Sequence, residues 1–467
     1  MARIGQRGRS DSRSGFSFGV LTDVFPPEVV GQVLDDTERW EQRSRLLTSD
    51  VTVYFCLAMC LWADDSYLEL SAKFTEALVA GGMWDPHQSR PTDAAIIKAR
   101  KRLGHDPIAA LFRSIARPLA TTRTKGAWYR HWRLTAIDGT VLDVPDTPEN
   151  VKAFSRPGAG RGEAAFPQIR VVGLVEIGTH AIFDAEVDGL NVSEVELAHH
   201  LVQRLEPGTL NIADRGFFSF ALWRKAAGTG ADLLWRMKSS AVLAPIKTLP
   251  DGSYLSHVFS SDDKAKTDAQ LVRVVEYSLG PDSPGPYRLL TTIVDHKIAP
   301  AKELAGLYNE RWEIEGGIGE IKTFQRGAGV VLRTKDPEGV RQEVWSHLCV
   351  HFALRTTMAD VAANKGIDPD RMSFVNTLKI IRRTMTKAIS CAAIFMANIA
   401  EEMLERVLPE RRNRSYPRVV KRKMSNFGVK RRDRDQQVIP LPRSVAILGP
   451  SKPEPLRTVN KTMAATT

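Results

Sequence analysis

The sequence is poor in cysteine and has no long apolar run. Four Cys occur among 467 residues, without a CxxC pair or a Cys and His cluster, so neither a disulfide framework nor a zinc site is expected. The longest uncharged apolar stretch, 51–63, is too short for a bilayer-spanning helix. The basic N-terminus lacks the apolar region of a secretory signal. These absences predict a cytoplasmic protein with no membrane partner.

Positive charge is concentrated near the C-terminus. The chain has 65 Lys and Arg against 54 Asp and Glu, a net charge of +11. Residues 411–434, which include Lys421, Arg422 and Lys423, hold eleven Lys and Arg and one acid, and therefore ten of those net charges. Such a segment beside a nearly neutral body is typical of a nucleic-acid-binding protein. A solvated tail that keeps the protein soluble explains the charge equally well.

The length and the periodicity of the chain predict several domains. With 43% hydrophobic and 25% charged residues, the composition is that of a globular protein. We expect a basic flexible arm (1–22), a helical DNA-binding domain (23–128), an α/β core in two parts (129–231 and 301–365), a β-rich insertion between them (232–300), a helical C-terminal region (366–408) and a basic, Pro-containing tail (409–467).

A basic helix is predicted inside the N-terminal domain. Thr92 is a candidate N-cap and Gly104 a candidate stop. Four cations crowd the last turns between them: Lys98, Arg100, Lys101 and Arg102. After a helix and a Gly/Pro turn, this pattern fits a helix-turn-helix element that contacts the major groove. A surface helix with cations favoured at its C-terminus fits it equally well.

Two carboxylates are predicted at the ends of strands. Residues 134–138 alternate like a strand that ends at Asp138, with a turn beginning at Gly139, and residues 209–214 form a strand that ends at Asp214. Carboxylates at the carboxyl edge of a sheet can reach a common cleft.

Neighbouring charges leave alternatives open at both acids. Asp143 and Asp146 compete with Asp138 as ligands, but the apolar strand leading directly into Asp138 favours that residue. Arg215 is a candidate tether for Asp214 or for a phosphate.

A third acid, Glu315, lies in a helix predicted over 301–324. At 100° per residue, Tyr308, Arg311, Glu315 and Lys322 share an arc of about 60° beside an apolar stripe, an arrangement suited to the rim of a cleft. Two or three carboxylates and a substrate phosphate suffice to hold two Mg²⁺ ions, and the two cations would contact flanking phosphates. The three acids therefore predict a metal-dependent phosphodiester enzyme.

The spacing Tyr308-x2-Arg311-x3-Glu315-x6-Lys322 resembles the Y-R-E-K signature of DDE transposases of the insertion-sequence-four group. The segments AIDGT (136–140), IADRGF (212–217) and LLWRMK (233–238) resemble that group too. The resemblance implies an α/β fold, a ribonuclease-H-like mixed-sheet core interrupted by a β-rich insertion, with helical N-terminal and C-terminal regions. It implies Asp138, Asp214 and Glu315 as the catalytic, metal-binding triad, and Tyr308, Arg311 and Lys322 as DNA contacts.

The same resemblance implies cut-and-paste transposition. It implies two-metal hydrolysis at the element ends with Mg²⁺, for which Mn²⁺ substitutes, then a hairpin intermediate and transfer of a 3′-hydroxyl into target DNA. The implied partners are the double-stranded terminal repeats, the target DNA and a second copy in a homodimer assembled on DNA. Alternatives are a transposase-derived DNA-binding protein without cleavage activity and a stand-alone nuclease of the same fold.

Four further residues are candidate DNA contacts under this resemblance. Members of the group extrude a base beside the cleaved phosphate, and Trp235 and Trp312 are candidates for stacking on it, although core packing is favoured for both. Arg236 and Lys238 alternate on one strand and either contact DNA or form a solvated face.

Three glycines interrupt the helix that carries Glu315. Gly316, Gly317 and Gly319 each cost about 1 kcal/mol relative to Ala inside a helix. Either the helix is irregular after Glu315, which makes the position of Lys322 less certain than that of Arg311, or the small residues let DNA or another helix approach.

Overall fold

The computed structural model describes most of the chain. The described residues are 18–41, 47–80, 85, 87, 89–159, 162–238, 241–279, 286–327, 331–385, 392–410, 414–415, 419–420, 428–429, 439–442 and 444–450. Among the helices they form, none has both the length and the apolar composition needed to cross a bilayer.

Helices dominate both ends of the described chain. The α-helices are α1 (Val20–Val24), α2 (Pro27–Asp36), α3 (Ser49–Leu61), α4 (Tyr67–Ala80), α5 (Asp93–Leu103), α6 (Asp106–Ile115), α7 (Pro148–Phe154), α8 (Glu194–Leu201), α9 (Phe220–Ala227), α10 (Ala301–Glu320), α11 (Pro337–Lys365), α12 (Phe374–Thr384) and α13 (Ala392–Leu404). A π-helical turn follows α10 at Ile321–Gln325, and short 3-10 turns lie at Val202–Arg204 and Pro369–Arg371.

Strands fill the middle of the chain and recur in short pieces near its end. They are β1 (Trp128–Tyr129), β2 (Trp132–Asp143), β3 (Gly158–Ala159), β4 (Gly162–Glu163), β5 (Gln168–Glu176), β6 (Ile182–Gly189), β7 (Thr209–Ala213), β8 (Asp232–Met237), β9 (Lys247–Thr248), β10 (Tyr254–Val258), β11 (Gln270–Ser278), β12 (Tyr287–Thr291), β13 (Arg414–Ser415), β14 (Val419–Val420), β15 (Gly428–Val429), β16 (Ile439–Pro440) and β17 (Ala446–Leu448).

The chain divides into two compact units. Unit 1 consists of residues 1–232 and 309–412, and unit 2 of residues 233–308 and 413–467. Helix α10 therefore starts in unit 2 and ends in unit 1.

The sheet of unit 1 has the strand order β6-β5-β2-β7. Strands β2, β5 and β6 pair antiparallel along the chain, and β7 pairs parallel to β2 after the crossover through α8. This order confirms the mixed α/β sheet of the predicted ribonuclease-H-like core.

Helix α11 forms the centre of unit 1. It contacts α1, α3, α6 and α12, as well as β6 of the sheet. Twenty of its 29 residues are buried, as expected for a helix that is enclosed over most of its surface. The N-terminal helices and the sheet thus share one core.

Polar side chains at helix starts explain where many helices begin. A side-chain oxygen accepts a hydrogen bond from a first-turn amide at Thr92, Thr147, Ser193, Ser219, Asp336 and Ser373. The cap predicted at Thr92 is confirmed.

Unit 2 contains an antiparallel sheet in the order β8-β12-β11-β10-β9. Strand β17 adds to β11, so a segment near the end of the chain completes a sheet that begins at residue 232. No α-helix occurs among the described residues of 232–300, as the β-rich pattern predicts. Arg273 is fully buried in this unit, where it pairs with Asp251 and donates to the carbonyl oxygen of Ala299 at 2.6 Å.

Two expectations about elements are wrong. Residues 18–22 of the predicted flexible arm are ordered, and Phe18 packs edge-on against Phe74 at 5.3 Å. Strand β2 does not end at Asp138 but continues to Asp143, because its pairing with β5 extends that far. The helical C-terminal region predicted over 366–408 contains α12 and α13, and residues 386–391 between them lie outside the described part.

Candidate active site

Asp138 lies in β2 and Asp214 directly follows β7, the strand that pairs parallel to it. The parallel pairing of β2 and β7 runs from Arg133 with Thr209 to Ile137 with Ala213, and the two acids are the next residues along each strand. Paired strands lie about 4.8 Å apart, so the two carboxylates start from adjacent backbone positions. Both residues are half-buried. The register thus brings together two acids that are 76 residues apart in sequence.

The competing acids near Asp138 are engaged elsewhere. Asp143 accepts a hydrogen bond of 2.7 Å from Gln168. Asp146 forms an ion pair with Arg156. Asp138 remains the better candidate, because it is the acid that lies beside Asp214.

Helix α10 crosses the same face of the sheet as Asp138. Side chains alternate along β2, so Asp138 shares its face with Thr140 and Leu142. Those two residues line a small apolar cavity together with Ile318 and Ile321, which lie at the end of α10 and just after it. Gly173 is the cross-strand partner of Asp138, and a Cβ added to it would lie 3.8 Å from Cδ1 of Ile318. The last turns of α10 therefore lie beside Asp138.

Glu315 lies one turn before Ile318 on α10, about 4.5 Å along the helix axis. The side chains of residues 310–316, which include Arg311, Trp312 and Glu315, lie outside the described part of the structure. Within the described side chains, no three His, Cys, Asp or Glu are grouped so as to hold a metal ion. Position 315 therefore lies one turn before Ile318, the residue of α10 that packs against the cross-strand partner of Asp138.

Arg215 orients the neighbouring acid through its backbone. Its N–H donates to Oδ1 of Asp214 at 2.7 Å, and its own side chain is exposed. This local backbone bond fixes the orientation of the Asp214 carboxylate.

Lys322 lies in the π-helical turn rather than on a regular helix. The 100° spacing used to place it beside Glu315 therefore does not apply to it, and the irregularity comes after the glycines instead of immediately after Glu315. Lys322, Thr323 and Phe324 are all exposed, Phe324 to 49%. Sequence periodicity did not predict this π-helical turn. The one sequence feature that indicated it is Phe324, an apolar residue that falls outside the apolar stripe of the predicted helix.

Buried side chains hold the π turn in place. Gln325 Nε2 donates to Nδ1 of His347 at 3.1 Å and to its carbonyl oxygen at 3.0 Å, and Arg382 donates to the carbonyl oxygen of Gln325. Burial lowers the pKa of His347 well below its usual value, so the ring is neutral and Nδ1 can accept. These hydrogen bonds therefore hold the backbone that carries the exposed residues of the turn.

Two aromatic candidates are buried in unit 2. Tyr308 is 2% exposed, so its side chain contacts protein and its predicted contact with DNA is not available to it here. Trp235 is fully buried in β8, which leaves no ring face for a base. Arg236 of the same strand lies over the ring of Tyr287 at 4.6 Å, and Lys238, which follows the end of β8, is exposed.

The cations of α5 differ in their surroundings. Arg100 is 5% exposed and donates to Oε1 of Gln342 at 2.9 Å and to Oγ1 of Thr334 at 3.1 Å, so its prediction as a DNA contact is wrong. Arg102 is half-buried and donates to the carbonyl oxygen of Leu47 at 2.8 Å. Lys98 and Lys101 are exposed. The basic residues Lys421, Arg422 and Lys423 lie outside the described part.

Comparison with known proteins gives matches along most of the chain. Residues 16–113 match the family "Insertion element 4 transposase N-terminal", and residues 132–353 match "Transposase DDE domain". The transposase InsG for insertion sequence element IS4 of Escherichia coli K12 is 28% identical over 426 residues, which cover 86% of this chain and 91% of that protein. The cryo-EM structure of a piggyBac transposase synaptic complex with hairpin DNA aligns over 87% of this chain and 88% of that one, at 12% identity. Its TM-score of 0.37 is too low to assign a shared fold.

Proposed function

Because the chain belongs to the IS4 family of DDE transposases, we propose that it moves an insertion sequence by a cut-and-paste route. In this proposal, hydrolysis at each element end releases a 3′-hydroxyl. The hydroxyl attacks the opposite strand to form a hairpin, is regenerated by hydrolysis and finally joins to target DNA. A homodimer assembled on DNA holds the two ends together.

The observation that carries the proposal is the position of the acids. Asp138 and Asp214 follow the last paired residues of the parallel strands β2 and β7. Helix α10 packs on the sheet face that carries Asp138 through Ile318, which lies one turn after Glu315. Three carboxylates that are remote in sequence thus come from elements in contact within unit 1.

We assign Asp138, Asp214 and Glu315 as the ligands of two Mg²⁺ ions. The half-buried carboxylates of Asp138 and Asp214 suit a hard cation that binds oxygen and keeps several waters, and Mn²⁺ fits the same donors. Bound ions would supply charge stabilisation for the attacking and leaving oxygens of the phosphodiester. The bond from the Arg215 amide keeps the Asp214 carboxylate oriented.

The exposed cations are the proposed DNA contacts. Lys322 and Arg215 are exposed and lie on segments that adjoin the acids. Arg311, whose side chain lies outside the described part, precedes Glu315 by one turn of α10 and is included because of its place in the signature. Lys98 and Lys101 on α5 form a second group in the N-terminal domain. These side chains would bind phosphates, which fixes the register of the DNA without reading its sequence.

The substitution Glu315→Gln tests the proposal. It keeps the size of the side chain and removes the charge that holds a cation, so Mg²⁺-dependent cleavage of end DNA should fall below detection while binding of the ends stays close to wild type. Glu313→Gln, two residues earlier on the same helix, is the matched control and should still cleave.

Each other outcome has a distinct meaning. Cleavage by Glu315→Gln at the wild-type rate removes Glu315 from the triad. A wild-type protein that retards end fragments but never cuts them is a DNA-binding protein only. One that cuts but never joins a pre-cleaved 3′-end to target DNA is a nuclease of the same fold.

A further inference from the structure

A cluster of five buried polar side chains lies at the C-terminal end of α10. Its members are Glu320 of α10, His351 and Arg355 of α11, His180 of the turn between β5 and β6, and Asp370 of the second 3-10 turn. Each is at most 7% exposed. Buried charges are costly unless they are paired and hydrogen-bonded, so such a cluster needs well-defined geometry.

Two residues of α11 hold the Glu320 carboxylate. Arg355 donates from Nε to Oε2 at 3.0 Å and from Nη2 to Oε1, which makes the contact bidentate. His351 Nε2 lies 3.1 Å from Oε2. Burial lowers the pKa of His351, so the ring is neutral at pH 7, and its Nε2 donates because a carboxylate can only accept. Three hydrogen bonds therefore fix the end of α10 to α11.

Arg355 also links α10 to the sheet. Its Nη2 lies 3.2 Å from Nδ1 of His180, and Nε2 of His180 lies 3.5 Å from Oδ1 of Asp370. His180 has a φ of 58°, a left-handed conformation that few non-glycine residues adopt. A Cβ added to Gly317 would lie 3.4 Å from the carbonyl oxygen of His180, so α10 packs directly on this turn.

Glu320 follows Glu315 by five residues, about 7.5 Å along the same helix. We propose that Glu320 and Arg355 are positioning residues that hold α10 so that Glu315 stays beside Asp138. The inference rests on the proposed function, in which Glu315 is the third metal ligand. The glycines at 316, 317 and 319 weaken the helix between the two glutamates, so an anchor outside the helix has to keep this stretch in place.

A suitable variant can separate the role of Glu320 and Arg355 in positioning α10 from their contribution to the stability of the fold. Replacing both members of a buried ion pair with uncharged side chains is often neutral for stability, whereas removing one member leaves a buried charge unpaired. Glu320→Gln/Arg355→Met removes both charges and keeps an acceptor for His351. Its melting temperature should stay within a few degrees of wild type, although the bidentate contact and the link to His180 are lost.

The experiment compares this double variant with the wild-type full-length chain in three assays. We expect the Kd for Mn²⁺, measured by calorimetry, to rise about tenfold or more, as it does when partners of metal ligands are removed. Cleavage of end DNA at saturating concentration should slow about a hundredfold, because misplacing a reacting group by about 1 Å has an effect of that size. The Mg²⁺ concentration that gives half-maximal cleavage should rise. Affinity for end DNA should not change.

A matched control lies on β11 and β12 of unit 2. Arg288 Nε donates to Oε1 of Glu276 at 2.9 Å, the Tyr254 hydroxyl donates to the same oxygen, and both charged residues are buried. Glu276→Gln/Arg288→Met makes the same chemical change away from α10. Its Mn²⁺ affinity and cleavage rate should match those of the wild type.

Wild-type Mn²⁺ affinity and cleavage in Glu320→Gln/Arg355→Met overturn the inference and leave the proposed function standing. If that variant does not fold, Arg355→Lys keeps the charge and loses the bidentate geometry, and it must show the same shifts or the inference fails. A wild-type protein that binds end DNA without ever cleaving it overturns the proposed function and the inference together.

Discussion

Arg100 and Lys101 are adjacent in sequence and have opposite surroundings. Arg100 points into unit 1 and donates to Gln342, 242 residues away, whereas Lys101 faces solvent. The helical period predicts α5 and its cap, but charge alone cannot tell which cation is buried. Which cation is buried depends on hydrogen-bond acceptors on α11, such as Gln342, and no local sequence pattern near α5 predicts their position.

This difference gives a prediction at the residue scale. Arg100→Ala should lower the free energy of unfolding by about 3 kcal/mol, because it leaves a cavity and strands the buried acceptors on Gln342 and Thr334. Lys101→Ala should change it by less than about 0.5 kcal/mol. Urea denaturation followed by circular dichroism measures both. Equal stability of the two variants would show that the buried network contributes nothing.

Helix α10 carries a prediction at the scale of the element. A Cβ added to Gly319 meets nothing within 4 Å, and its backbone is helical. Gly319→Ala should therefore raise the free energy of unfolding by about 0.5–1 kcal/mol, since Ala has less conformational freedom to lose on folding. Thermal denaturation monitored by calorimetry measures the change.

Gly317 is the matched position on the same helix. A Cβ there would lie in ordinary van der Waals contact with the carbonyl oxygen of His180 at 3.4 Å and with its Cβ at 3.6 Å, so Gly317→Ala should gain at least as much stability as Gly319→Ala. A smaller gain at Gly317 would mean that the helix and the turn are more tightly packed than these distances show.

The sequence predicts several elements of the core but misplaces the end of β2. The strand pattern of 209–214 finds β7, and a Thr cap with a glycine stop finds α5. It fails at Gly139, which looks like a turn but lies inside β2, where a Cβ would come within 3.0 Å of Oε1 of Glu194. A glycine can mark a close approach as well as a turn, and only the tertiary contact separates the two.

The proposed triad is predictable to the same extent. The strand periods and the spacing of the signature select Asp138, Asp214 and Glu315 as candidates, and the register of β2 and β7 accounts for the closeness of the first two along the sheet. The π turn at Ile321–Gln325 has no sequence period of its own, because buried partners such as His347 stabilise it. Hence the environment of Lys322 could not be predicted from its position in a helical wheel.

At the scale of the whole molecule, the units are not continuous in sequence. The change from helical to strand periodicity near residue 232 predicts a β-rich insertion. It does not predict that residues 413–467 belong to the same unit as that insertion. Their grouping depends on contacts between distant segments, such as the pairing of β17 with β11. A three-residue strand in a basic, Pro-containing region has too little pattern to reveal its partner.

The uneven charge of the molecule leads to a prediction about salt. Ten of the eleven net positive charges lie in 411–434, and a cation that neutralises a phosphate releases a counterion on binding. If Lys421, Arg422 and Lys423 all contact phosphates, changing them together to Gln should reduce the slope of log K against log salt by up to about 2.7. Fluorescence anisotropy of labelled end DNA across a salt series measures that slope.

The control neutralises the same number of charges elsewhere. Lys247, Lys264 and Lys266 are exposed cations of unit 2, so changing them to Gln produces the same net charge with the basic segment intact. If the segment binds DNA directly, only the 421–423 variant loses slope. If the segment is a solvated tail that acts through net charge alone, the two variants lose affinity equally and keep the wild-type slope. That second result would leave Lys98, Lys101 and Lys322 to account for the binding.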